Sequence, residues 1–592
     1  MSDSSPSQSL SRRSILKAAL AASATLTATG LLAACGAAVP SPAQPAAQAT
    51  TAPAATSAPA AAVATKPAVA TSAPTAAAST KPAPAAAATK GGKTLTVAVE
   101  SDASSLKPDT WGPTLNWYAA RSLYDTLIHY GTKAGPDGLL YYDDEHLDMR
   151  LAEKVDLSPD RKTITWTIRN GATFEGGKKI DADAIVKSFQ WYLDRNQVGG
   201  GQAKVDGLTS RDSVVAKDNT VIMTLKDTVP WGIIANYISL LAIVDADEIM
   251  KHATPEDKFG EKWLERNATP SGAYKVEKWT SGEQMVLVAR DNFYAGKPPI
   301  ERLVFRIIPD ASVRFSLMKK GDVDMASNLD YKDLSALKAE PTVAIEPYIG
   351  NSWGYLGLNW KEPQFQDKNV RKAIASAIPY DEIINTVYYG FAVQAKTPFG
   401  QKVAGADPTT WPYSFDLEQA KKYLAQSAFP TGFPMTFTIV NDDVNVDKES
   451  QLIAESLGKI GIKVTIQKST SAQVSDALVA KKLSMAITDF TSFVPDAGYH
   501  VLWNHLPDSY ANFFGYANPE QEKLGRELLY MDPKEPKRLD LLKKYQELMA
   551  QDVFAVYLHS FKTVIPHKKS VKGFAYFPDM PLGVRFDKLS IE

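Results

Sequence analysis

The run from Pro270 to Asn328 constrains the fold of this chain more than any other, because it dictates three strands and a helix in a fixed order. Met285, Leu287 and Ala289 alternate after the Ser281-Gly282 turn, and Leu303, Phe305 and Ile307 alternate after Pro298-Pro299. That is the period of strands with one buried face. Ala311 to Lys320 reads as a helix closed by Lys319, Lys320 and Gly321. Cations and a glycine suit a helix C-terminus, where carbonyls are unpaired and the chain turns left-handed. Asp322-Val323-Asp324 opens the next strand. Strands interleaved with helices predict a mixed α/β architecture. At 592 residues the chain is too long for one core, so two or three domains are expected.

Within and around this run stand Gly272-Ala273-Tyr274, Arg290-Asp291-Asn292-Phe293-Tyr294, Gly296-Lys297-Pro298, Ile308-Pro309-Asp310 and Gly321-Asp322-Val323-Asp324. Together they resemble the signature of the extracytoplasmic solute-binding proteins of the oligopeptide/dipeptide/nickel class, the receptor subunits of ABC importers. The resemblance extends from about Lys93 to the C-terminus. It implies an α/β, two-lobed periplasmic-binding-protein-like fold of the class II type, with mixed sheets and an extra subdomain. Lobe I would comprise 93–349 plus 556–592, with the subdomain at about 140–265, and lobe II 350–555. The chain crossings would lie near Asn351 to Trp360 and near Phe554 to His559. Such a receptor is a monomer without a cofactor and is not an enzyme. It closes on a peptide or small-molecule ligand and offers it to the permease and ATPase subunits of the importer.

The N-terminus carries two further signals. Ser11-Arg12-Arg13-Ser14 precedes an Ala-rich apolar stretch that ends in Leu32-Ala33-Ala34-Cys35. Arg12 and Arg13 mark a twin-arginine export signal, and the ending resembles that of a bacterial lipoprotein. Residues 1–34 would be removed and Cys35 lipidated, placing the protein outside the cytoplasm on a membrane anchor. Cys35 is the single cysteine, so no disulfide supports the fold. From 35 to 92 the chain is almost only Ala, Pro, Thr, Ser and Val. Such a composition cannot bury enough apolar surface to offset its ordering entropy, and a disordered tether is expected. The longest other apolar run, Ile233 to Val244, is short of the roughly 20 residues a membrane-spanning helix needs.

Between these landmarks the pattern alternates regularly. Thr94 to Glu100 reads as a strand and Leu106 to Gly112 as a loop, which the resemblance places at the ligand cleft. A helix carries Trp117, Leu123, Leu127 and Ile128. Ile164, Trp166 and Ile168 alternate in a strand, and Asp181 is placed to cap the helix that runs through Trp191. Val370, Ala373, Ile374, Ala377 and Ile378 recur at helical spacing. Met435, Phe437 and Ile439, then a helix ending at Gly461, then Ile462, Val464 and Ile466 make a strand–helix–strand unit with parallel pairing.

The chemistry narrows next. The 65 basic and 66 acidic residues leave a net charge of -1, which argues against a nucleic-acid partner. Gly350-Asn351-Ser352-Trp353-Gly354 matches a hydrolase elbow, but that motif needs a strand–turn–helix and a strand follows it here. His500 and His505 are five apart, too far for one helical face, and no metal set completes them. A Walker A sequence is absent. The informative stretch is Asp489 to Ala497, DFTSFVPDA. It resembles the family's cleft-lining segment, a Trp followed by Asp-Tyr-x-Asp-Pro, whose first acid pairs with a peptide's ammonium. Phe490 stands for the Trp and Phe493 for that acid, while Asp496 keeps the second. The site residues implied are Trp111, Trp117, Trp353, Tyr355, Phe490, Phe493, Asp496, Tyr499 and Trp503. For Phe490 and Phe493, a place in the core is the alternative. The ligand stays open among peptide, oligosaccharide and chelate. A sensor without transport, and more remotely a hydrolase, are the competing functions.

Overall fold

The computed structural model describes residues 93–592, apart from 111, 196, 206, 227–239 and 579–583. The expected signal, tether and lipidated cysteine, with Arg12, Arg13 and Cys35, and also Trp111, lie outside the described residues. Two large sheets dominate. The first runs, in order, Val343–Ala344, His567–Lys568, Met325–Ala326, Thr94–Val99, Arg302–Ile307, Gln284–Ala289 and Tyr274–Thr280. Thr94–Val99 lies at its centre, parallel to both neighbours. Leu95, Val97, Ala98 and Val99 are all fully buried, the continuous apolar run of a strand covered on both faces. The three strands expected after Pro270 are its antiparallel edge. The helix Ala311–Lys320 that follows is capped by Asp310, which accepts from Val313 N at 3.0 Å, and it ends on Gly321 at φ 77°.

The second sheet runs Tyr348–Ile349, Val556–Thr563, Ser352–Leu358, Met485–Thr491, Pro434–Val440 and Lys463–Ser469, with Ala392–Gln394 also paired to Val556–Thr563. Pro434–Val440 and Lys463–Ser469 are parallel across the helix Val444–Gly458, as the strand–helix–strand pattern predicts. A separate four-stranded sheet, Ala152–Leu157, Thr163–Ile168, Thr220–Thr224 and Val214–Lys217, packs Ile164, Trp166 and Ile168 under the helix Ala182–Asp194. Asp181 caps that helix through Ala184 N at 2.9 Å.

Three expectations need correction. The helix carrying Trp117 stops at Leu123, and Ile128 opens a strand. Tyr124 turns extended there and Asp125 is drawn into a buried ion pair. The strand after Gly321 is only Met325–Ala326; the Asp324 carboxylate is turned to Thr96 N and the Lys568 ammonium instead. Finally, the chain does not return to the first sheet at Phe554 to Leu558, because Val556–Thr563 belongs wholly to the second. The crossings are three residues each, Ile345–Glu346–Pro347 and Val564–Ile565–Pro566, lying side by side. Val343 and Ala344 pair with Lys568 and His567 on one side, and Tyr348 and Ile349 with Thr563 and Lys562 on the other.

The first half is closed by its C-terminal tail. Asp125 accepts from Arg150 Nε and Nη2, both at 3.1 Å, and from Tyr294 Oη at 2.8 Å. Arg150 also reaches Asp587, which Arg585 holds at 3.0 Å. Burial alone would raise the Asp587 carboxyl, but the two guanidiniums win and hold it well below the usual carboxylate range. Removing one member of such a network strands a buried charge. Asp125→Ala is therefore expected to cost about 3–5 kcal/mol of stability, read as a lower urea midpoint. A midpoint within error of wild type would contradict this account.

Candidate functional site

The candidate segment grows out of the Met485–Thr491 strand, which pairs antiparallel with Ser352–Leu358 and sets Trp353 opposite Phe490. Ser352 lies within a strand and its hydroxyl meets Thr491 Oγ1 at 2.9 Å. The Gly-x-Ser-x-Gly match is thus part of a β-ladder and not a nucleophile turn. After Thr491 the chain bends at Ser492, whose hydroxyl donates to Val494 O, and re-enters a helical turn at Ala497.

Asp496 caps that turn, accepting from Gly498 N at 2.7 Å, and its same oxygen receives Arg538 Nη2 at 2.7 Å. Both partners of this ion pair are almost fully buried. The second acid of the motif is therefore already engaged by a guanidinium of the helix Pro536–Asp552.

Helix Ala497–His500 continues into a π-helical turn, Val501–His505, closed by Leu506 N bonding to Val501 O at 3.3 Å. A bond from i to i+5 puts residues five apart on one face. His500 and His505 consequently lie on one face with ring centroids 6.2 Å apart and planes tilted by 32°, contrary to the expectation from ordinary helical spacing. Both are fully buried against Phe399. Burial pushes the His500 imidazolium down to about 3 and His505 well below its ordinary value, with the His500 charge adding to the latter.

The rings sort into two groups. Phe490, Tyr499 and Trp503 gather, with centroids 5.8 Å apart for Phe490–Tyr499 and 6.0 Å for Tyr499–Trp503. Phe493 is 3% exposed and belongs to the apolar core of the second half, which holds both groups. Trp353 and Tyr355 stack on each other at 4.6 Å and pack with Phe554 and Tyr557 in the interior of the second half. They are packing residues here. Trp117 sits half-buried on the helix Thr114–Leu123 of the first half.

Contacts between the halves were invisible in the sequence. Tyr142 Oη donates to Lys402 O at 3.1 Å, and Lys402 Nζ lies 4.8 Å from the Tyr141 ring centroid. Leu240 packs with the apolar cluster of the second half while Leu241 packs with that of the first. Among the described residues, one group has metal-ligand geometry: Asp143, Glu145 and His146, on a bulge of the Leu140–Met149 strand. Lys133 Nζ already stands 3.3 Å from Asp143 and 2.7 Å from Asp144.

The segment gathers aromatic rings, and its Asp496 is already paired with Arg538. The family described as bacterial extracellular solute-binding proteins, family 5 Middle, matches residues 146–510, more than half of the chain. The chain belongs to this family. Among its relatives, a probable D,D-dipeptide-binding periplasmic protein, DdpA, of Escherichia coli is 27% identical over 82% of this chain and 92% of its own. The dipeptide-binding protein of the same organism is 28% identical over 86% and 96%. The periplasmic binding protein DppA of Helicobacter pylori, solved with the peptide STSA, superposes at a TM-score of 0.69 with 24% identity, covering 85% of this chain and 98% of that one. Family 5 proteins bind solutes and are not enzymes, and this chain has their two-sheet fold.

The buried histidines carry a prediction for this family member. Unfolded, His500 and His505 take a proton near pH 6.5; folded, they resist it to much lower pH. The unfolded state then binds more protons, so stability is full above about pH 6.5 and falls as the pH drops, by about 1.4 kcal/mol per pH unit for each histidine. Denaturant midpoints between pH 7 and 5 should show this slope, and His505→Phe should reduce it by one proton. An unchanged slope in that variant would refute the assignment.

Proposed function

We propose that this chain is the substrate-binding lipoprotein of an ABC importer. It captures a peptide-like solute between its two halves and presents it to a permease. The observation that carries the ligand reading is the fate of the two acids. Phe493 occupies the first acidic place, and Asp496 is spent on Arg538 and on a helix cap. An ammonium enclosed in a dewatered cleft needs a carboxylate partner, because an unpaired buried charge is costly. The proposed solute therefore lacks a free α-ammonium and is held by ring faces, with Phe490, Phe493, Tyr499 and Trp503 as contacts. A blocked peptide fits best, since relatives that bind dipeptides match nearly their whole length; an oligosaccharide or a chelate is the second choice. Calorimetry on paired free-amine and N-acetylated peptides should show binding that ignores or prefers the blocked end. Phe493→Ala should weaken that binding about tenfold, or roughly 1.4 kcal/mol. Tight binding that requires the free amine would sink the ligand reading while leaving the receptor assignment standing.

Closure is proposed to pivot on the two crossings, Ile345–Pro347 and Val564–Pro566. Support comes from their length and their prolines: a proline has no N–H to give to a ladder, so the ribbon is weakest there.

Anchoring is proposed through Cys35, on the strength of Leu32-Ala33-Ala34-Cys35 behind Arg12-Arg13. Wild-type protein should fractionate with membranes and incorporate labelled palmitate, whereas Cys35→Ser should be soluble or held as precursor. Wild-type protein that takes up no label would refute the anchor.

A further inference from the structure

We propose that Arg161 and Asp532 form a latch between the two halves, holding them together before any solute binds. Arg161 sits at the tip of the hairpin between Ala152–Leu157 and Thr163–Ile168, in the four-stranded sheet of the first half. Its guanidinium leaves that half altogether. Nη2 donates to Tyr530 O at 3.3 Å, and Nη1 lies 3.6 Å from Asp532 Oδ2. Both acceptors belong to the turn between the helices Pro519–Tyr530 and Pro536–Asp552, which pack in the core of the second half.

The hairpin tip is built to present this one side chain. Ser158 and Thr163 close it with a backbone bond at 2.9 Å, and Arg161 N returns to Ser158 O at 2.8 Å. Asp160 accepts from Ser158 Oγ at 2.6 Å and from Lys162 N at 3.1 Å, and these bonds pull its carboxyl below the usual range. Pro159 fixes a further backbone angle. Arg161 itself is held at φ 58°, a left-handed conformation that a non-glycine residue rarely adopts and that costs free energy. The fold tolerates that cost and directs the guanidinium across the gap.

Exposed ion pairs contribute little when two flexible side chains must be frozen to make them, a shift of about two- to fivefold at most in a two-state equilibrium. Here one partner stands on an already rigid turn, so less freedom is lost. Arg161 is one-quarter exposed and Asp532 about one-half, so the pair is open to salt. Two other contacts between the halves, Tyr142 to the Lys402 carbonyl and Lys402 over Tyr141, touch the segment paired to Tyr576, whose hydroxyl accepts from Asn351 N just past one crossing. Contacts close to a pivot open little when it bends. The Arg161 pair joins the small sheet to a helix turn of the other half, so that separating the halves at this point must break it.

The inference rests on reading the halves as a closing receptor, but its test needs no solute. Ligand-driven compaction tests the receptor reading; the latch is tested on the full chain carrying Cys35→Ser, freed of co-purified solute by unfolding and refolding. Small-angle scattering compares wild type, R161E, D532R and the swapped double variant at 50 mM and 1 M salt. Each single variant should have a larger radius of gyration than wild type, the double variant should return to the wild-type value, and only the latter two should expand at high salt. Glutamate at a left-handed position can disturb the hairpin itself. Arg161→Gln and Asp532→Asn therefore serve as a second pair, with amide exchange over 163–168 reporting that the hairpin is intact. Unchanged radii in both sets overturn the latch. So does a swapped variant as expanded as the single ones with an intact hairpin.

Discussion

Among the described residues, two strands running side by side link the two large sheets, and both are interrupted at the same level. On each side of the gap the ladder is intact, Ala344 to His567 and Tyr348 to Thr563. In the gap stand Ile345, Glu346 and Pro347 on one strand and Val564, Ile565 and Pro566 on the other. Two adjacent connections define an axis, so the halves can bend about the ribbon but resist swivelling as a single linker would allow. Tyr576 governs one end of it. Its hydroxyl accepts from Asn351 N at 2.9 Å, and it presses so close on Gly350 that a Cβ there would stand 2.8 Å from the hydroxyl oxygen. Glycine suits this close approach at 350, since any side chain there would have to displace the tyrosine ring.

Charge is handled differently on the two sides of this ribbon. The first half buries a full network, Asp125, Arg150, Asp587 and Arg585, and uses it to fasten the last residues of the chain to the strands near its start. The second half buries smaller pairs, Asp496 with Arg538 and Glu449 with His559, and sets the His500 and His505 imidazoles among rings that keep them neutral. Each solution has its own failure mode. Stranding a charge in the network is costly at any pH, whereas the imidazoles become a liability only when acid offers the unfolded chain protons that the folded core refuses.

Much of this was legible because it is local. Met285, Leu287, Leu303 and Phe305 alternate, Asp181 and Asp310 are good caps, and Gly321 ends a helix, so the strands and helices of the Pro270 run follow from short-range rules. What the sequence hid is what depends on partners far away. Nothing in Val501 to His505 signals a π-helical turn, and the 3.6-residue period therefore separated two histidines that the fold brings to one face. Asp496 read as a free carboxylate because Arg538 lies 42 positions downstream. Phe554 to Leu558 read as the return crossing because strands do cross nearby; the ladder simply runs on to Thr563 before Pro566 breaks it. The family resemblance implied Trp353 and Tyr355 as site aromatics, but their strand is central in its sheet, and a central strand also owes its rings to the core.

The displaced acid is the point at which these lines converge. A carboxylate facing a closed cleft is stable only if a cation arrives with the ligand or already stands in the fold. At Asp496 the fold supplies its own, Arg538, and both groups are sealed together with a helix cap as a third tie. At Phe493 no carboxylate exists to be supplied. Either arrangement alone leaves one motif acid within reach of the segment; together they remove both, so in the proposed site a free ammonium would rely on ring faces. Ring faces attract cations by roughly 0.5–2 kcal/mol, well short of what losing its water costs an ammonium. Discrimination in the proposed receptor then comes less from what it attracts than from the amine it declines to solvate.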